Sequence, residues 1–155
     1  MSEVLLINPI KDAMVTLLEA QRETLGIRTV KKDLSLDNLA EDIPQLTPLM
    51  PAVIVVYYGR TARRSGTILE MTLTYALIVA TRSVQAPNIS EALATTILDR
   101  TLELFQGKAV YPATQRVGFD LVSEELRHKD KVLTIYQQLF NTEVAIDFRS
   151  ALKPS

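Results

Sequence analysis

Between residues 69 and 82 the chain alternates in a two-residue period. Odd positions carry Leu69, Met71, Leu73, Tyr75, Leu77 and Val79, and even positions carry Glu70, Thr72, Thr74, Ala76, Ile78 and Ala80. That is the period of a pleated strand with one buried face. At roughly 3.3 Å per residue the run spans about 45 Å, enough to cross a small domain and project beyond it. Ordinary strands hold about five or six residues. The stretch is therefore expected to be the central strand of an antiparallel sheet.

The flanking patterns predict the other elements. Asn8 can cap a helix and Pro9 suits its first position. Ile10, Ala13, Met14, Leu17 and Leu18 then recur at helical spacing up to a stop at Gly26, which gives a helix over 9–25. Residues 27–30 suit a short edge strand. Ser35 can cap a short helix over 36–42, and Pro44, Pro48 and Pro51 break the next segment into an irregular connector over the domain. Residues 52–58, AVIVVYY, are apolar on both faces, so both sides of that strand need cover. The segment 59–66, GRTARRSG, is expected to be a mobile hairpin loop.

After a turn over 83–87, a helix over 89–106 presents Ile89, Leu93, Ile97, Leu98, Thr101, Leu102, Leu104 and Phe105, and Gly107 ends it. A loop over 108–116 leads to a strand over 117–122, a polar turn over 127–131 and a long strand over 132–147. On that last strand Leu133, Ile135 and Leu139 face one way, and Val132, Tyr136, Phe140, Val144 and Ile146 the other. The resulting fold is α+β: an antiparallel sheet of two long hairpins with two amphipathic helices on one face. Residues 1–149 are expected to form a single domain and 150–155 a flexible tail.

Composition narrows the function classes. A hydrophobic share of 47% beside 23% charged residues is that of an ordinary folded domain. With net charge −1 there is no whole-molecule pull toward nucleic acid or anionic membrane. The absence of cysteine removes disulfides, thiol nucleophiles and thiolate metal sites. The N-terminal apolar run is too short for a signal peptide, and no run approaches the ~20 residues of a membrane helix, so synthesis in the cytosol and no membrane contact are expected.

Candidate chemistry is sparse. His128, the sole histidine, sits in a charged stretch with no carboxylate held for it by the pattern. No zinc-protease, phosphate-loop, dinucleotide or nucleophile-elbow motif occurs. Glu124 and Glu125 are adjacent and so point to opposite faces of a strand, whereas Asp120 and Glu124 are expected to share one. A small enzyme would need Asp120, Glu124, His128 and Tyr136 gathered in one pocket. No catalytic residue, metal or cofactor is expected.

Two basic groups stand out: Arg60, Arg63 and Arg64 at one expected hairpin tip, and Arg127, Lys129 and Lys131 at the other. They suit either solubility and edge protection or contact with an acidic surface or passing phosphates. The strands 52–58 and 132–146 carry more apolar side chains than two helices easily cover. Either the connector covers the second face, or neighbouring copies bury Val53, Val55, Tyr57, Tyr136, Phe140 and Val144 between them.

The order of these features resembles the tail-terminator or tail-completion proteins of long-tailed bacteriophages, in particular the Mu-like prophage branch. The features are a helix ending in LGI (25–27), PAVIVVYYG (51–59), an arginine-bearing segment, LEMTLTYALIVATRS (69–83), SEALATTILDRTLELFQG (90–107) and TIYQQLFNTEVAI (134–146). The resemblance implies a structural virion protein and no enzyme. It implies a hexameric ring on the head-proximal end of the tail tube that ends tube growth and joins the tube to a neck or connector protein. In a contractile tail it would also meet the sheath protein, and DNA would pass through the lumen without sequence recognition. Other neck or head–tail joining proteins and stand-alone oligomeric binding modules share such a pattern.

Overall fold

The computed structural model describes residues 6–33, 39–83, 87–109 and 118–148, without the side chains of 39–42 and 87–88. The expected Ser35 cap, most of the 108–116 loop and the 150–155 tail lie outside the described residues. A five-stranded sheet carries the fold: β1 (Thr29–Lys32), β2 (Ala52–Ser65), β3 (Ile68–Arg82), β4 (Phe119–Lys129) and β5 (Leu133–Asp147), in the order β1-β2-β3-β5-β4. The class is α+β, as the pattern predicts. β1 joins parallel to β2, and every other neighbouring pair is antiparallel.

β3 is the centre that its alternation predicts. Met71, Leu73, Tyr75, Leu77 and Val79 are all buried in one core, beneath helix α1 (Ile7–Ala20) and helix α4 (Pro87–Phe105). A row of rings runs through that core. Tyr57 and Tyr75 lie 5.5 Å apart, Tyr75 and Phe119 6.4 Å, Phe119 and Phe105 5.7 Å, and Phe105 and Phe140 5.7 Å, all tilted or edge-on as aromatic quadrupoles favour. The row joins β2, β3, β4, β5 and α4. The buried Tyr75 hydroxyl donates to the Ile7 carbonyl at 2.9 Å, which anchors the start of α1.

The second face has its own core of Ile54, Ala76, Ile78, Ala80, Leu133 and Ile135. Leu46 and Met50 close it. They come from helix α3 (Leu39–Leu46) and from just past the 3₁₀ turn Thr47–Leu49. The proline-bearing connector therefore covers the second face of the AVIVVYY strand. Pro44 does not break the helix as expected; α3 carries it inside and runs on to Leu46.

Several boundaries differ from the sequence expectation for physical reasons. Helix α1 starts at Ile7, so Asn8 lies inside it; Leu6 is the cap residue and makes no side-chain cap bond. The expected single helix breaks at Gln21 and resumes as α2 (Arg22–Leu25). Gly26 then takes the left-handed conformation (φ 75°), with its N–H on the Glu23 carbonyl and that of Ile27 on Arg22. The expected loop 59–66 is strand: residues from Gly59 to Ser65 pair with β3 from Thr74 to Ile68, after a bulge at Tyr58. β3 is long enough to zip the segment up to a turn at Gly66 and Thr67. The expected 127–131 turn also shrinks, because β4 continues to Lys129 beyond a bulge at Arg127. Val132 precedes β5 and packs on the second core, not beside Tyr136.

Helix α4 is rolled relative to its expected face. It buries Ser90, Ala94, Ile97, Leu98, Thr101 and Phe105, and leaves Ile89 and Leu93 exposed. Polar pins set the roll. Thr81 Oγ1 donates to the Ser90 carbonyl at 2.6 Å, and the Ser90 and Thr134 hydroxyls meet at 2.9 Å. Thr101 donates to Gln138 at 2.7 Å, and Gln138 donates to the Leu98 carbonyl at 3.0 Å. Buried polar groups need partners, so these bonds outrank two apolar side chains in choosing the face.

Leu46→Ala tests the role of the connector. Leu46 is fully buried on the second face. Its truncation is expected to lower unfolding free energy by about 2–5 kcal/mol in urea titrations. A loss below about 0.5 kcal/mol, the range of surface substitutions, would show that the connector contributes no core.

Candidate assembly surface

The six apolar interface candidates separate by burial. Val53, Val55 and Phe140 are fully buried, and Val144 nearly so, all in the core beneath the chain's own helices. The expectation that they face a neighbouring copy is corrected by the α1–α4 layer, which takes that place. Tyr57 and Tyr136 are half-buried at its margin.

Among the described residues, what is left open is the far end and the two sides of the sheet. β4 starts at Phe119 opposite Thr142, so beyond that level the described sheet consists of β2, β3 and β5. This three-stranded arm carries Arg63 and Arg64, with Arg60 at its base level with Phe119, all three exposed. The register brings acids to them that sequence neighbours do not show. Arg63 lies opposite Glu70 and pairs with it at 2.7 Å, a bond that raises the Arg63 pKa further. Glu143 lines the same 430 Å³ hollow as Arg63, Glu70, Thr61 and Thr72. Arg64 donates to the Gly66 carbonyl at 2.9 Å across the turn. The arm is therefore mixed in charge and not a plain basic patch.

The second basic group is dispersed by the strand it lies on. Arg127, at the bulge, is half-buried and donates to Gln137. Lys129 pairs with Glu91 of α4, whose carboxylate raises the Lys129 pKa. Lys131 lies exposed in the turn. Asp130 holds that turn: its Oδ1 accepts the N–H groups of Val132 and Leu133, each at 2.8 Å, and its Oδ2 meets His128 Nε2 at 2.8 Å. These bonds, His128 first, lower the Asp130 pKa to about 2.

The candidate enzyme residues do not converge. The bulge at Val122 reverses the strand's alternation, so Asp120 aligns with Asn141 and Glu124 with Gln138, on opposite faces of β5. The expected shared face of Asp120 and Glu124 is thereby corrected. Asp120 accepts from Gln106 at 2.7 Å, Glu124 from Gln138 at 3.1 Å, and His128 aligns with Ile135 while Tyr136 faces the opposite core.

Two glycines bring the end of α4 against the start of β4. A Cβ on Gly118 (φ 76°) would meet the Gly107 carbonyl carbon at 2.8 Å. That close approach lets the Gly107 N–H reach the Phe119 carbonyl at 2.7 Å and the Phe119 N–H reach Lys108 at 2.9 Å. Gln106 then caps the start of the edge by accepting the Leu121 N–H at 2.8 Å. Among the described residues no helix is long and apolar enough to cross a membrane.

This architecture is shared with a known particle component. The chain superimposes on one from the structure titled "Virion of native gene transfer agent (GTA) particle" with a TM-score of 0.60 at 14% identity, covering 90% of this chain and 96% of that one. The similarity extends over almost the whole of both chains and establishes a common fold. No family model matches the sequence. No curated protein matches it either.

The Asp130 turn carries a pH prediction. A carboxyl held below its ordinary value of about 3.9 adds stability that is complete above that pH. The contribution is lost as pH falls toward the folded value of about 2. Asp130→Asn is expected to flatten the fall in unfolding free energy between about pH 4 and pH 2. An unchanged acid slope in the variant would remove Asp130 as its source.

Proposed function

We propose that the chain is a structural subunit of a phage-like virion, and that it serves as the tail terminator: a ring on the head-proximal end of the tail tube that stops tube growth and offers a surface to the neck. The observation that carries the proposal is the shared fold with a gene transfer agent virion chain over 90% of this sequence. The surface supports a structural part. Candidate acids and His128 are spread over both faces of the sheet, while among the described residues a long sheet arm and two strand edges stand open for protein contacts.

The ring would be hexameric, with the tube protein on one side, a neck or connector protein on the other, and the sheath protein alongside in a contractile tail. The mixed charge of the arm suits docking to a protein rim of mixed charge better than holding DNA, which would favour a uniform basic wall. DNA in the lumen would then pass without being gripped.

Tail length tests the proposal. Particles made without this protein are expected to show tubes of uncontrolled length under negative-stain microscopy, and added purified protein is expected to restore a fixed length. Tubes of normal length that fail to join heads would move the protein to the neck, the alternative assignment. Normal, joined particles would overturn a part in the tail altogether.

A further inference from the structure

The two outer edges of the sheet are matched in level, face and charge. Following the pairing across the sheet, Lys32 is level with Val55, Leu77, Gln138 and Glu124. Lys31 is level with Ile54, Ile78, Gln137 and Glu125, and Val30 with Val53, Val79, Tyr136 and Leu126. Thus across the same three levels one edge shows apolar, basic, basic, and the other shows apolar, acidic, acidic. Each matched pair also shares a face. Lys32 and Glu124 lie on the helix side, and Lys31 and Glu125 lie on the connector side.

The strand directions agree as well. β1 runs with β2, and β4 runs against it. A second copy placed beside the first in the same orientation would bring its β1 antiparallel to this β4. The usable window is set by the chain itself. Gln106 takes the Leu121 N–H, and bulges at Val122 and Arg127 bracket the regular run from Ser123 to Leu126. Bulges are edge guards, and they confine pairing to a short stretch. β1 is also four residues long. It is held in place on α1 by Lys11 with Asp33 and by Lys32 with Asp12 at 2.6 Å, so its edge is formed before any partner arrives. Leu126, 46% exposed on an edge strand, would gain cover beside Val30.

We propose that copies of this chain join head to tail through these edges, β1 of one against Ser123–Leu126 of the next, with Lys31 facing Glu125 and Lys32 facing Glu124. Head-to-tail contact between two different surfaces closes into a ring when the rotation permits. Main-chain bonds supply the joint, and the charge order fixes its register. The inference deepens the ring reading above and rests on it for its biological use.

The test is a charge swap read by native mass spectrometry and sedimentation on the full chain. One variant carries Glu124→Lys and Glu125→Lys, and has two basic edges. The other carries Lys31→Glu and Lys32→Glu, and has two acidic edges. Unchanged circular dichroism and unfolding midpoints show that each folds; if the Lys32 change unfolds the second variant, Lys31→Glu alone replaces it. Each variant alone is expected to lose the oligomer that the unaltered chain forms. An equal mixture is expected to recover it, with the two variants alternating. The unaltered oligomer should also weaken as salt rises. Oligomers that persist in both single variants would overturn the edge contact and leave the virion reading standing. An unaltered chain that stays monomeric at every concentration would overturn it too, while tube length would still decide the terminator reading separately.

Discussion

β3 has a paired strand along each edge and a packed layer on each face. From Tyr75 to Thr81 every side chain is buried, and each of these residues has a paired neighbour on both sides or, at Thr81, on the β5 side. An unpaired buried peptide group costs about as much as a lost hydrogen bond, so the strand is stable only when all four sides close together. The rest of the molecule can be understood as that closure. α1 and α4 supply one layer and the connector supplies the other. β2 and β5 supply the ladders, with thirteen and fifteen paired positions along β3.

This closure decides where association can occur. A sheet with one bare apolar face would associate through that face, as two halves of a core. Here the second face is filled by Leu46 and Met50 at one end and carries Thr61, Arg63, Glu70, Thr72 and Glu143 at the other. Most of the apolar residues in the strands are consumed within the chain, with Tyr58, Ile68, Val122 and Leu126 left exposed. What remains for neighbours among the described residues is those scattered side chains, peptide groups along short edge stretches and side chains of both signs, a surface suited to contacts that are specific in register and individually modest.

Much of this architecture is legible in the sequence because it depends on local periodicity. The alternation from Leu69 onward locates β3, the 3.6-residue pattern locates α1 and α4, and Gly26 marks a left-handed stop. The hidden part depends on partners distant along the chain. Nothing local says that Gly59 to Ser65 will be held straight; β3 does that from across the turn. The start of α4 is misjudged from sequence because Ile89 and Leu93 look like core, while Ser90 and Ala94 fall outside the expected face. Their actual places follow from hydroxyl and amide partners on β3 and β5, 9 to 44 residues away. The bulges in β4 are equally silent, and one of them separates Asp120 from Glu124. The acids beside the arginines, Glu70 and Glu143, are visible as residues but not as neighbours, because only the strand pairing brings them together.

An open sheet edge carries a conflict that the β4 side makes concrete. Unpaired strand edges accept any extended chain, which is why folded proteins bulge, shorten or charge them. β4 combines such devices: two bulges, the Gln106 cap on Leu121, and carboxylates at Glu124 and Glu125. If protection were the sole purpose, charge of either sign would serve, and lysine would be the ordinary choice. Instead the opposite edge carries lysines at the same levels while this one carries acids. Like edges therefore repel and unlike edges attract, so a guard against indiscriminate pairing becomes a filter that admits one partner in one orientation.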